Sequence, residues 1–157
     1  MDLYFSYGIE MNPHFMHSVC PRALFYGVGV CYQYRFQTNS SGLADIQPSH
    51  HSKVYGVVWK VFEHDIPFLS TWAQNYFPNC ISHYAQSIEL IPNAQNELVQ
   101  FPSIQNPVKV NAFFYHSQNK TSTPPSKDYM ESILRELQQL EVPQDYISEL
   151  RLWISSL

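Results

Sequence analysis

The chain reads first as a succession of apolar runs with strand character, followed by two segments of helical period. Residues 3–7, Leu3-Tyr4-Phe5-Ser6-Tyr7, form an aromatic run stopped by Gly8, the mark of a buried strand opening into a turn. Pro13 is placed to start a helical turn over residues 12–19. Residues 23–36 are strand material, with Gly27 and Gly29 marking a bulge or a close backbone approach. A loop over residues 38–42, a brief strand at 43–47 and a polar turn at 48–53 are expected next. Residues 54–62 give the clearest strand, with Val57, Trp59 and Val61 on one face and Val54, Gly56, Val58 and Lys60 on the other. Residues 64–72 read as a short helix or turn. Residues 81–91 and 108–115 read as further strands, punctuated by Pro92 and Pro107 and joined by a polar connection over 93–106.

The pattern then changes. Thr123-Pro124-Pro125 stops the sheet, and Ser126 is placed to cap a helix starting at Lys127, with Tyr129, Ile133, Leu137 and Leu140 on one stripe. Glu131 and Arg135 stand at i,i+4, a pair that contributes about 0.2–0.5 kcal/mol. Pro143 opens a second helix with Tyr146, Ile147, Leu150 and Ile154 as its apolar positions. Strands followed by helices, without repeats or a flexible linker, predict one α+β domain over residues 1–157. A small barrel with helices packed outside fits this order.

Composition narrows the function classes. Only 14% of the 157 residues are charged, against about 25% in an ordinary soluble domain, while 15% are aromatic. Nine basic residues face 13 acidic ones, for a net charge of −4, which argues against a nucleic-acid or anionic-membrane surface. A weakly charged surface of this kind suits a homodimer face. Cys20, Cys31 and Cys80 show no metal-type spacing, and their odd number is no disulfide framework. No apolar run reaches the roughly 18 residues of a membrane span. The first residues lack the basic region of a secretory signal. The sequons at Asn39 and Asn119 are what chance gives in a chain rich in Asn, Ser and Thr. A cytoplasmic, reduced protein is expected.

Four ordered blocks resemble the γ-glutamylcyclotransferase-like family. They are Tyr4-Phe5-Ser6-Tyr7-Gly8-Ile9-Glu10-Met11, similar to the family's Y-F-x-Y-G-S-N-M/L; Tyr34-Arg35-Phe36 with Asn39-Ser40 and Gly42-Leu43-Ala44-Asp45-Ile46-Gln47-Pro48; Val54-Tyr55-Gly56-Val57-Val58-Trp59-Lys60-Val61 with Phe68-Leu69; and Tyr115 with Pro124-Pro125-Ser126, Tyr129, Val142-Pro143 and Tyr146. The resemblance covers almost the whole chain. It implies a small mixed β-barrel with flanking helices and a pocket walled by the Tyr-Gly loop, with Tyr7, Gly8, Ile9, Glu10, Met11 and Tyr115 as pocket residues. It also implies the chemistry: the α-amine of a γ-glutamyl group attacks its own γ-carbonyl, and 5-oxoproline leaves. An intramolecular attack needs no enzyme nucleophile, metal or cofactor. It needs a carboxylate to move the proton and donors to hold the α-carboxylate and the developing oxyanion, which a Gly-containing turn supplies from its backbone amides.

This chain departs from the family at both places. The family's glutamate lies in a segment resembling L-D-x-x-E-G, and the matching stretch is Leu69-Ser70-Thr71-Trp72-Ala73-Gln74. Ser70 takes the Asp position and Ala73 the Glu position, with no acid anywhere between Asp65 and Glu89. Loss of such a group costs about 10²–10⁴-fold in rate. In the Tyr-Gly loop, Ile9-Glu10 replaces the family's Ser-Asn, and Glu10 sets a negative charge where a substrate carboxylate is expected to bind. Glu10 is either a substitute acid with a raised pKa or a solvated loop glutamate. Tyr7 and Tyr115 either hydrogen-bond the ligand or bury their rings with the hydroxyl at the edge. Trp72 beside Ala73 suits a drier, closed pocket or packs the helix end.

Other candidates read as structural. His50-His51 and His64 lack ligand partners at metal spacing, and His14 and His17 at i,i+3 are a packing pair. The cysteines lack a basic neighbour and read as packed thiols. The expected function is a γ-glutamylcyclotransferase-like protein without the usual chemistry, binding a γ-glutamyl-like or amine-bearing metabolite or a partner. The alternatives are an active cyclotransferase using Glu10 or another relocated acid, and a purely structural or partner-binding protein. A pocket plugged by Ile9, Trp72 and Tyr76 favours an interaction role, and an open polar one favours ligand binding.

Overall fold

A computed structural model describes residues 1–91, 108–118 and 121–157. Its strands are β1 (Asp2–Ser6), β2 (Leu24–Thr38), β3 (Ala44–Val61), β4 (Cys80–Leu90) and β5 (Val108–Ser117). Its helices are α1 (Pro13–Val19), α2 (Ile66–Tyr76), α3 (Lys127–Gln139) and α4 (Gln144–Ser155), with single 3₁₀ turns at Ile9–Met11 and Glu63–Asp65. The strands close into a barrel in the order β1-β3-β2-β4-β5. Pairing is antiparallel except at the seam, where β1 and β5 run parallel with Tyr4 opposite Phe113. The barrel is therefore mixed and the fold α+β, as expected.

Two elements differ from expectation. The polar turn at residues 48–53 does not form, and β3 runs unbroken through it. The reason is that β2 continues to Thr38 and pairs with both ends of the stretch: Phe36 faces Ile46, Tyr34 faces Pro48 and Tyr32 faces Lys53. The surplus residues are taken up as an irregularity opposite Gln33, whose φ is 69°. His50 and His51 are thus exposed strand residues. The loop expected over residues 38–42 makes the reversal, where buried Asn39 accepts at its Oδ1 from the amides of Ser41 and Leu43. The second difference is α2, which extends to Tyr76. Leu69 and Ala73, at i,i+4, are both fully buried, and Trp72 packs on Tyr76 with ring centroids 4.7 Å apart.

The C-terminal helices follow their sequence signals. Ser126 Oγ accepts from the Tyr129 amide and caps α3, which buries Met130, Ile133, Leu134 and Leu137. Glu131 differs from expectation, since it reaches Arg151 of α4 at 3.5 Å and not Arg135 on its own helix. Burial pushes the free thiols of Cys20 and Cys31 up to about 11 and about 12, in keeping with packed thiols. Among the described residues no helix is long and apolar enough to cross a membrane. The connection expected at residues 93–106 and the sequon asparagine at position 119 lie outside the described residues.

The contact of β1 with β3 is tight. Ser6 Oγ donates to the Val57 carbonyl at 3.1 Å and accepts from Trp59 Nε1 at 3.0 Å. Gly56 makes room for this contact, since a Cβ there would lie 2.0 Å from the Ser6 carbonyl oxygen and 3.0 Å from the Phe5 ring. Gly56→Ala is expected to destabilise the fold by about 3 kcal/mol, at the upper end of overpacking. Ser126→Ala, which removes only a helix cap, should cost about 1 kcal/mol. Urea unfolding of the two variants beside the wild type checks the ranking, and equal losses would contradict it.

Candidate active site around Glu10

The site grows from the end of β1. Beyond Ser6 the chain leaves the sheet through Tyr7 and Gly8 into the 3₁₀ turn that carries Glu10. Gly8 packs against β3, where a Cβ would stand 2.8 Å from the Ala44 Cβ. This close approach lets the carboxyl of Glu10 fold back on its own loop. Its Oε1 accepts from the Gly8 amide at 2.9 Å and from the Tyr7 amide at 3.2 Å. The backbone amides expected to hold a substrate carboxylate are therefore engaged by a carboxylate of the chain itself.

Glu10 is 3% exposed. It is not a solvated loop glutamate. Burial raises its pKa from 4.5 to about 7, and the amide hydrogen bonds offset only part of that rise. Phenols surround it: Tyr4, Tyr7, Tyr76 and Tyr129 all titrate above the ordinary tyrosine value, chiefly through burial, with the charge of Glu10 adding to the shift in each. Tyr76 of α2 and Tyr129 of α3 are hydrogen-bonded hydroxyl to hydroxyl, and Tyr129 accepts from the Ala44 amide at 2.9 Å. Tyr7 donates to the Tyr115 carbonyl at 2.5 Å.

The six expected pocket residues do not line one cavity. Tyr115 lines a cavity of about 370 Å³ with Ser70 and Tyr84. Ile9 lines another of about 440 Å³ between α1 and α3, and Met11 a third of about 610 Å³ beside Trp59 and Phe25. Tyr7, Gly8 and Glu10 line none of these three. Tyr7, Glu10, Met11 and Tyr115 are all buried. Tyr115 buries its ring, and burial raises its phenol to about 12, with Ser70 beside the hydroxyl. Ala73 is fully buried on the inner face of α2. Trp72 packs edge-on against Phe15 of α1 and Phe77, so it closes the helix end. His17 is structural: its Nε2 lies 2.9 Å from the Ala23 carbonyl and its ring stands edge-on to Trp59.

Sequence reasoning missed a second buried carboxylate. Asp45 is fully buried, and its Oδ1 accepts from the amides of Ile46 at 2.8 Å and Ser117 at 3.0 Å. Burial raises its pKa to about 6, and its charge acts on Tyr7 and Tyr129. The available signal was an acid in the apolar strand stretch Ala44-Asp45-Ile46.

The raised pKa of Glu10 makes stability pH-dependent. Between pH 4.5 and about 7 the folded form keeps a proton that the unfolded chain releases. The stabilisation by this group is therefore full below pH 4.5 and is lost as pH rises to about 7, a change of about 3 kcal/mol. Glu10→Gln keeps an amide acceptor but cannot ionise. Its stability relative to wild type should rise by about 3 kcal/mol between pH 4 and pH 8 in denaturant titrations. Asp45 is present in both proteins and cancels in the difference, so a flat difference would contradict a buried titrating Glu10.

Comparison with protein-family models and with curated proteins gives no match. Among solved structures the chain is similar to a γ-glutamyl cyclotransferase, with a TM-score of 0.78, 22% identity, and coverage of 96% of this chain and 86% of that one. It is equally similar to an uncharacterised protein from Homo sapiens, with a TM-score of 0.77, 22% identity and the same coverage. A yeast γ-glutamyl cyclotransferase specific to glutathione gives a TM-score of 0.62 at 11% identity, over 99% of this chain and 96% of that one. At these identities the likeness is one of fold, and the fold of this chain is that of the γ-glutamylcyclotransferase-like structures.

Proposed function

We propose that this chain is a γ-glutamylcyclotransferase-like protein that does not run the usual cyclotransfer and acts by binding. The observation that carries the reading is the Glu10 carboxyl held 2.9 Å from the Gly8 amide. A substrate α-carboxylate entering there must displace a group tethered two residues away, and it meets like-charge repulsion once Glu10 ionises. Ala73, at the position matched to the family's acid, cannot move a proton. With Glu10 buried and lining none of the three cavities, an interaction role is favoured over turnover. A partner that presents an ammonium suits it best, because that group brings the positive charge an ionised Glu10 lacks.

A second reading has one observation in its favour. A carboxyl with a pKa of about 7 is tuned for general acid–base work near neutral pH. In that reading Glu10 takes the proton from the substrate amine and returns it to the leaving group.

Release of 5-oxoproline from a panel of γ-glutamyl amino acids and amines separates the two, with wild type, Glu10→Ala, Ala73→Glu and the double variant compared. Silence in the wild type, with release appearing when Glu10→Ala is combined with Ala73→Glu, is the expected result. Wild-type release that falls by about 10²-fold or more in Glu10→Ala would overturn the leading reading.

A further inference from the structure

The cavity of about 610 Å³ beside Trp59 opens between α1, the start of β2 and the last turn of α3. Trp59 and Met11 are its buried members, while Leu24, half exposed, and Phe25, partly buried, give it an apolar wall within reach of solvent. Phe25 stands edge-on to Trp59 with ring centroids 5.9 Å apart. Glu136, Gln139 and Leu140 bring the C-terminal end of α3 to the same cavity. Glu10 does not line it.

The charge around this cavity is one-sided. A helix C-terminus carries partial negative charge, which cations stabilise and anions do not. The last turn of α3 has no basic residue, yet it carries Glu136, and Glu141 follows close behind. Glu136 is partly exposed, and its Oε1 accepts from Asn12 Nδ2 at 2.5 Å, a neutral partner. Among the described residues it forms no ion pair. The other polar groups of the wall do not answer its charge. Arg22 is turned onto Asp65, with Nε at 3.0 Å and Nη2 at 2.8 Å from the two carboxylate oxygens. His17 Nε2 is engaged with the Ala23 carbonyl at 2.9 Å. Gln139 is exposed and uncharged, and its amide can offer either a donor or an acceptor. Arg135, the base next to Glu136 along α3, lines the neighbouring cavity with Ile9 and His14. The result is a carboxylate at the negative end of a helix, beside an apolar wall, with no described cation paired to it. An ammonium can both accept that charge and donate hydrogen bonds to the carboxylate.

We infer that this cavity is a binding site for a small primary ammonium with an apolar body, the ammonium on the Glu136 carboxylate and the body against Leu24 and Phe25. The volume lies within the range of ordinary small-molecule sites, which pair an apolar wall with a few polar groups. The site is independent of Glu10 and of any cyclotransfer.

2-Phenylethylamine has both parts and serves as the probe. 3-Phenylpropionate keeps the ring and reverses the charge, and propylamine keeps the charge and lacks the ring. In NMR titrations of the full chain, 2-phenylethylamine should produce saturable shifts at the Leu24 methyls and the Gln139 side-chain amide, leaving the Tyr7 and Gly8 amides unmoved. Both comparison probes should bind at least roughly tenfold more weakly. Glu136→Gln keeps an acceptor for Asn12 and removes the charge, and it should weaken 2-phenylethylamine by a similar factor. Leu24→Asn, at a half-exposed position, should weaken it several-fold. Absence of saturation up to roughly 100 mM would overturn the inference, as would equal affinity for either comparison probe or affinity unchanged in Glu136→Gln. Shifts confined to His14 and Ser132 of the neighbouring cavity, or to Tyr7 and Gly8, would overturn it too. The three probes on the wild type keep the test decisive if a variant fails to fold.

Discussion

The position of β1 is the constraint on which the rest depends. This five-residue strand is gripped on one side by β3 in an antiparallel register and on the other by β5 across the parallel seam. Gly56 lets the Ser6 carbonyl approach β3, and Ser6 Oγ ties the strand to Val57 and Trp59. Tyr7 and Gly8 follow immediately, so the direction in which their amides point is inherited from the strand. The direction of the two amides that hold the Glu10 carboxyl is thus a by-product of how the barrel closes.

Glu10 answers that geometry. The amide hydrogens of Tyr7 and Gly8 favour negative charge on the carboxyl, while its burial disfavours it. The amides do not fully offset desolvation, so the carboxyl sits near the point where it is half ionised at neutral pH. Asp45 repeats the arrangement on β3 with the amides of Ile46 and Ser117. Two carboxyls with raised pKa values, joined through the field at Tyr7, give the molecule a buried acidic pair in a chain with few charges.

Much of the fold was legible because its signals are local. The cap at Ser126, the stop at Pro124-Pro125, the apolar alternation through Trp59 and the turn after Tyr7 each act within a few residues, and each is found where expected. The failure at residues 48–53 has a tertiary cause: a polar, Pro-containing stretch was read as a turn, but β2 lay alongside and supplied partners. For the site, the departure at Ile9-Glu10 was visible, whereas its consequence was not. Nothing in the residue order tells whether a loop carboxylate faces water or turns onto its own backbone. That depends on Ala44 of β3 and on Tyr76 and Tyr129, which arrive from three separate elements. Asp45 escaped for the same reason, since its partner amide on Ser117 is 72 positions away.

The hydrogen bond from Tyr7 to the Tyr115 carbonyl joins positions 108 residues apart. Contacts of such long range carry more loop-closure entropy than those of the β2–β3 hairpin, which joins neighbouring segments. The seam between β1 and β5 brings together the two ends of the strand sequence. The cradle holding Glu10 depends on that closure, so a chain with an incomplete barrel has every residue of the site and none of its electrostatics.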